Sequence, residues 1–163
     1  MEENLDPILE RISKEDNMKK TGRVVNVNIS DKKGIIKRPI GQGLFIEDYG
    51  LEGDAHAGKW HRQVSLLGIE SIRKMEEMGI KDLKHGDFAE NITTEGIVLH
   101  ELPVGTRLKI GETIQEVTQI GKECHTGCAI AKQVGKCIMP KEGIFTRVIK
   151  GGLVKAGDKI EVL

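Results

Sequence analysis

The sequence has few aromatic residues, no charge of one sign in excess, and no long apolar run. Aromatics make up 3% of its 163 residues, whereas glycine reaches 20. That balance favours short elements joined by turns. Lys plus Arg equals Asp plus Glu at 25 each, for a formal net charge of zero. The basic excess of a dedicated nucleic-acid binder is therefore missing. No apolar stretch approaches the roughly 20 residues of a membrane-spanning helix. The N-terminus opens with Glu2-Glu3 and lacks the apolar centre of a secretory signal. These absences lead to the expectation of a cytoplasmic protein with no membrane or nucleic-acid partner. Cysteine is scarce, and three is an odd number that fits no simple internal disulfide framework. There is no G-x-x-x-x-G-K-[ST] phosphate loop, no G-x-S-x-G elbow and no H-E-x-x-H zinc helix.

The length suits one main domain with a true core. Asp6-Pro7 is a helix start, and Leu5, Ile8, Leu9 and Ile12 then share a helical face. Residues 13–20 are polar and read as a linker, so residues 1–20 are expected to be an N-terminal helix and linker. The main domain is expected over residues 21–163. Strands are predicted over 22–29, with Val25, Val27 and Ile29 inward, and over 63–67, 88–93, 107–110, 113–120, 144–149 and 159–163. A helix is predicted over 69–78, ended by Gly79, with Ile69, Ile72 and the core-filling Met75 inward. Residues 31–50 read as a loop-rich stretch. Two segments, 102–110 and 153–162, share a pattern in which a glycine and a polar residue lead into apolar alternation. Many short strands with turn residues between them predict a mainly β, barrel-like or sandwich fold with a few short helices.

Chemistry concentrates in residues 121–152, which hold all three cysteines (Cys124, Cys128 and Cys137), His125 and several basic residues. A thiol acts as nucleophile or metal ligand only as thiolate, which nearby positive charge favours. The spacing leaves three readings open. The three cysteines and His125 supply the four donors of a structural zinc site. Cys128 and Cys137 are small enough to pack as apolar residues. Cys124, between Lys122 and His125, and Cys128, at a helix start capped by Thr126, are placed as reactive thiols.

A second cluster, Gly50 to Leu67, crowds Asp54, His56, His61 and Arg62 among glycines that permit close backbone approach. Arg62 and Lys59 suit an anionic group such as phosphate. Asp54, His56 and His61 also suit a metal, or a solvated polar loop. Glu90 and Asn91 stand in an apolar stretch, which predicts either a solvent-facing side or the wall of a polar pocket. His85 and His100 read as surface residues.

Five stretches resemble the MOSC domain, the C-terminal domain type of molybdenum cofactor sulfurases, and they occur in that family's order. They are G-L-E-G-D-A-H-A-G with H-R-Q-V-S-L-L, G-D-F-A-E-N-I, L-P-V-G-T-R-L-K-I-G, the cysteine segment, and E-G-I-F-T-R-V-I-K-G-G with A-G-D-K-I. The chain is most similar to the small stand-alone bacterial members. The resemblance implies a β-barrel-like fold and a molybdenum cofactor (molybdopterin) ligand. It also implies a cysteine that carries sulfur as a persulfide or ligates molybdenum. Gln119-Ile-Gly-Lys-Glu-Cys124 matches a Gln-x-Arg-x-Pro-Cys pattern in place, with Gly121 and Glu123 at its Arg and Pro. That favours Cys124, while the Cys-x-x-Cys-like arrangement of eukaryotic members favours Cys128. On this reading Lys122, Arg62 and Arg147 attract the phosphate-bearing cofactor. Asp54, His56, His61, Glu90 and Asn91 line its pocket. The pyridoxal-phosphate desulfurase domain of the sulfurases has no room in this chain. Sulfur is then expected from a separate cysteine desulfurase, or from other proteins of cofactor biosynthesis.

Overall fold

A computed structural model describes residues 21–121 and 139–163. The N-terminal helix and linker expected over residues 1–20 lie outside the described residues. So do the predicted site residues Lys122, Cys124 and Cys128, together with His125 and Cys137.

Seven strands close a barrel in the order β1 (Thr21–Ile29), β11 (Lys159–Val162), β7 (Arg107–Ile110), β8 (Thr113–Ile120), β9 (Ile144–Lys150), β5 (Val64–Gly68), β6 (Ile92–Glu95) and back to β1. Closure through the β1–β11 pair leaves the barrel without a free edge. The short β2 (Arg38–Pro39) extends β1. A small antiparallel sheet of β10 (Gly152–Lys155), β3 (Gln42–Ile46) and β4 (Gly50–Leu51) accompanies the barrel. All neighbouring barrel strands are antiparallel except β5 and β6. A parallel pair needs a crossover, which is supplied here by helix α1 (Ile69–Glu77). A 3₁₀ turn at Leu99–Glu101 and helix α2 (Met139–Glu142) complete the described elements.

Two apolar clusters follow from this wrapping. Val24, Val27, Leu66, Ile92, Leu108, Val117, Ile144 and Val148 belong to the larger one. Leu67, Ile72, Met75, Phe88 and Phe145 form the second, against α1. Strand β5 is buried along its whole length because Leu66 belongs to one cluster and Leu67 to the other. Met75 is 2% exposed and fills the core as its spacing predicts.

Several local expectations change. In β1 Val24 and Val27 are buried and Ile29 packs against the same core, whereas Val25 is only half-buried, because the register against β6 shifts between Val24 and Asn26. Residues 31–50 are not all loop. β3 is hidden in the sequence by its glycine and by its distant partner β10. A Cβ at Gly43 would lie 2.5 Å from Leu51 Cδ1, so a larger residue there would have to push the Leu51 side chain aside. The predicted strand over 88–93 begins only at Ile92, because Ala89 adopts φ 62° and the chain turns around the Glu90 carboxylate. His85 and His100 are half-buried rather than fully exposed, with His85 Nδ1 3.2 Å from Asn26 Nδ2. The shared pattern of 102–110 and 153–162 does have a structural counterpart. Gly105 (φ 95°) and Gly157 (φ 93°) each turn the chain into β7 or β11, which pair with each other.

Among the described residues no helix is long and apolar enough to cross a membrane.

Candidate functional site

The glycine-rich loop between β4 and β5 is fixed from below by a buried ion pair. Lys37 Nζ donates to Asp54 Oδ1 at 2.8 Å and to Ser30 Oγ at 2.9 Å. Both charged side chains are fully buried. Asp54 also accepts from the Ser30 and His56 backbone N–H groups, each at 3.0 Å. Burial alone would raise the Asp54 pKa. The charge and hydrogen bond of Lys37, with the two N–H groups, outweigh burial and hold the carboxyl below its usual range. Lys37 Nζ also lies 3.2 Å from His56 Nδ1. An ammonium can only donate, so Nδ1 is the acceptor and the ring proton of His56 sits on Nε2.

Trp60 rests on this base. Its Nε1–H donates to the His56 carbonyl at 2.8 Å. Its ring stacks on His56 at 6.5 Å and 9°, and meets His61 edge-on at 5.9 Å. Trp60 and His61 then line an open cleft of about 510 Å³, together with Lys59, Thr118, Glu116 and Arg147. An adjoining hollow of about 470 Å³ shares Asp48, Lys59 and Arg147 and adds Arg107. Arg107, Glu116 and Arg147 stand opposite one another on β7, β8 and β9. Glu116 pairs with Arg107 at 3.3 Å and with Arg147 at 3.6 Å. One carboxylate thus serves two guanidinium groups.

Gln119 connects the cleft to the start of the cysteine segment. Its Oε1 accepts from Arg62 Nε at 3.0 Å and lies 3.0 Å from His61 Nε2. Its Nε2 donates to the Gly121 carbonyl at 2.7 Å. The Thr118 hydroxyl donates to the His61 carbonyl on the same strand. Gly121 N–H donates to the Gly143 carbonyl at 2.6 Å, so the chain leaves and re-enters the barrel at neighbouring points. Arg62 in turn stacks over Phe145 on β9 at 5.3 Å.

Glu90 and Asn91 are fully buried, neither on a solvent face nor on the cleft wall. Glu90 accepts from Phe88 N–H at 3.2 Å and from the Thr93 hydroxyl at 2.8 Å. Burial pushes its pKa up to about 7, against the lowering effect of surrounding N–H donors and Thr93. Asn91 Oδ1 accepts from Ser65 N–H at 3.0 Å, tying the 86–91 turn to β5.

The cleft therefore gathers His61 and Arg147, with Arg62 joined to His61 through Gln119 and His56 behind Trp60. Asp54, Glu90 and Asn91 lie within the fold as supports. Lys37, Trp60, Asp48 and Glu116 were not legible as site residues. The lone tryptophan, set in a glycine-rich loop of an aromatic-poor chain, was a usable signal. Lys37 gave none, since nothing local shows that its ammonium turns inward.

Comparison with known proteins places these features in a family. The family model of the MOSC domain matches residues 53–161, more than half of the chain. The Bacillus subtilis (strain 168) protein YflK is 26% identical over 142 residues, covering 80% of this chain and 63% of its own length. The chain thus spans less than two thirds of that relative. Among solved structures, the YuaD protein from Bacillus subtilis superposes with a TM-score of 0.72 at 20% identity, covering 87% of this chain and 95% of that one. YiiM from Geobacillus stearothermophilus gives 0.66 at 20% identity, with 87% and 75% covered. YiiM from Escherichia coli gives 0.61 at 20% identity, with 88% and 69% covered. These likenesses show the shared barrel fold.

Proposed function

The chain belongs to the MOSC domain family, and from that premise we propose that it binds a molybdopterin-type ligand in the Trp60 cleft and carries sulfur on Cys124 or Cys128 beside it. The observation that carries this reading is the Gln119 bridge, which holds the root of the cysteine segment against His61 and Arg62. In the sequence Cys124 follows Gln119 by five residues, and Gly121, where the described chain breaks off, is held by this bridge.

The cleft suits such a ligand in character. Trp60, its ring stacked on His56 with Lys33 Nζ 5.1 Å from its centroid, adds aromatic lining, and Lys59 and Arg147 offer cations for a phosphate. His61 and Thr118 add polar groups, and the volume falls within the range of small-molecule sites. When bound, the molybdenum centre supplies a metal able to take a sulfur ligand. The protein's own part is to hold the ligand, exclude competing contacts and present a thiolate. In the sulfur-loading step the thiolate of Cys124 or Cys128 attacks the outer sulfur of a donor persulfide. The donor's S–S bond breaks as the new one forms, and the donor cysteine leaves as thiolate. A separate cysteine desulfurase would supply that persulfide.

Cyanolysis tests the sulfur role. Protein incubated with a desulfurase and cysteine should release thiocyanate, and replacing the carrying cysteine by serine should abolish the release. If Cys124→Ser and Cys128→Ser each leave the yield unchanged, neither thiol is the carrier. Ligand binding without thiocyanate release would reduce the function to binding and delivery.

A further inference from the structure

Two carboxylates line the Trp60 cleft, those of Asp48 and Glu116. Glu116 is engaged by Arg107 and Arg147. Asp48 makes no ion pair among the described residues, although Lys59 and Arg147 line the same cleft and the adjoining hollow. It sits in the turn that joins β3 to β4, in the left-handed region at φ 50°, which aspartate tolerates. Its backbone N–H donates to the Val148 carbonyl at 2.9 Å. Its Oδ1 accepts from Gln63 Nε2 at 3.0 Å. Gln63 is fully buried, and its Oε1 accepts from Val148 N–H at 2.9 Å. That bond fixes which way the Gln63 amide points, so its NH2 group faces Asp48. Main chain and side chain of Asp48 are thus both anchored to one residue of β9.

The other oxygen of Asp48, Oδ2, has no hydrogen bond among the described residues. A carboxylate only accepts, and one held from behind by an amide still takes two donors side by side. A ring N–H next to an amino group supplies such a pair, as on the 2-amino-4-oxopyrimidine edge of a pterin. Lys59 and Arg147 are free to take an anionic group of the same ligand. We propose that Asp48 is the specificity-determining residue of the cleft, its carboxylate accepting from the ring N–H and the 2-amino group of a pterin. This rests on the reading of the cleft as a pterin site, and it adds a requirement for the amino group. A ring with oxygen in that place sets an acceptor against the carboxylate and is rejected.

Calorimetric titration of the full chain with pterin and with lumazine tests this, since the two rings differ in carrying an amino group or an oxygen at position 2. The wild type should bind pterin roughly tenfold more tightly than lumazine, or better. Asp48→Asn keeps an acceptor for Gln63 and tolerates the left-handed turn, but it turns an NH2 group towards the ligand. Its preference for pterin should disappear. Val98→Lys, in a separate cavity between α1 and residues 96–100, should keep the preference. An undiminished preference in Asp48→Asn, or a wild type that binds both rings alike, overturns the role of Asp48 and leaves the pterin reading standing. A wild type that binds neither ring overturns both. Guanosine carries the same edge, and its binding more tightly than pterin would overturn the proposal by assigning the cleft to a nucleoside.

Discussion

The side-chain oxygen of Gln119 accepts a hydrogen bond from Arg62 Nε at 3.0 Å, joining two segments 57 residues apart. Through it, the strand that leads into the cysteines is locked to the loop that builds the cleft. Gln119→Ala removes this acceptor together with the bond to the Gly121 carbonyl. Both Arg62 and Gly121 can turn to water, so the stability cost should be about 1–2 kcal/mol. Thiocyanate yield should fall much further than melting temperature does. Gln119→Glu keeps the acceptor and should retain part of the yield. A yield that tracks stability alone would reduce Gln119 to a structural residue.

Lys37→Met leaves the Asp54 carboxylate buried without its cation. Breaking such a pair from one side costs about 3–5 kcal/mol, which urea denaturation will read directly. The double variant Lys37→Met with Asp54→Leu should recover a large part of that loss, because no buried charge remains. Equal losses in both would mean that the pair is not what holds the loop.

Glu90 and Asp54 give stability opposite dependences on pH. The folded pKa of Glu90, about 7, lies above its ordinary value of 4.5. Its protonated form is favoured by the fold, so its contribution is fully present below about pH 4.5. That contribution is lost as pH rises towards 7, on the order of 3 kcal/mol. Asp54 is held below 3.8, so its contribution is present above that value and is lost as the solution is acidified below it. Denaturation from pH 4.5 to 8 should show a loss in the wild type that Glu90→Gln lacks. The same slope in both proteins would contradict the assignment.

The Arg107–Glu116–Arg147 row should make the cleft an anion site whose strength Glu116 limits. Across about 4 Å in a water-exposed setting a unit charge is worth about 1 kcal/mol. Glu116→Gln should therefore tighten binding of pyrophosphate roughly fivefold at low salt, and Arg147→Ala should weaken it. Calorimetric titration at two salt concentrations reads both effects. An affinity indifferent to either substitution would place the anion elsewhere.

What the sequence made legible, and what it hid, divides by how local the information is. Strands β7 and β8 run over the predicted residues because a short turn at Gly111-Glu112 joins two alternating runs. The helix from Ile69 was visible for the same reason, since its period is local. β3 was hidden because its register is set by β10, more than a hundred residues away. The turn at 88–91 was hidden because a buried carboxylate draws backbone N–H groups around itself, against the extended form its apolar neighbours favour. Of the residues singled out in the sequence, His61 and Arg147 do line the cleft, and Arg62 lies beside it through Gln119. Burial of Asp54, Glu90 and Asn91 was not legible, since it depends on Lys37, Asn28 and Ser65 arriving from other strands and loops.

The central claim is that the Trp60 cleft holds a molybdopterin-type ligand. Native mass spectrometry of the full chain, purified from cells co-expressing a molybdopterin pathway, addresses it most directly. The account predicts one pterin-sized adduct per chain, lost in the folded double variant Trp60→Ala with Arg147→Glu and retained in Val98→Lys. A wild-type protein that emerges without an adduct, or an adduct that survives Trp60→Ala with Arg147→Glu, would contradict it.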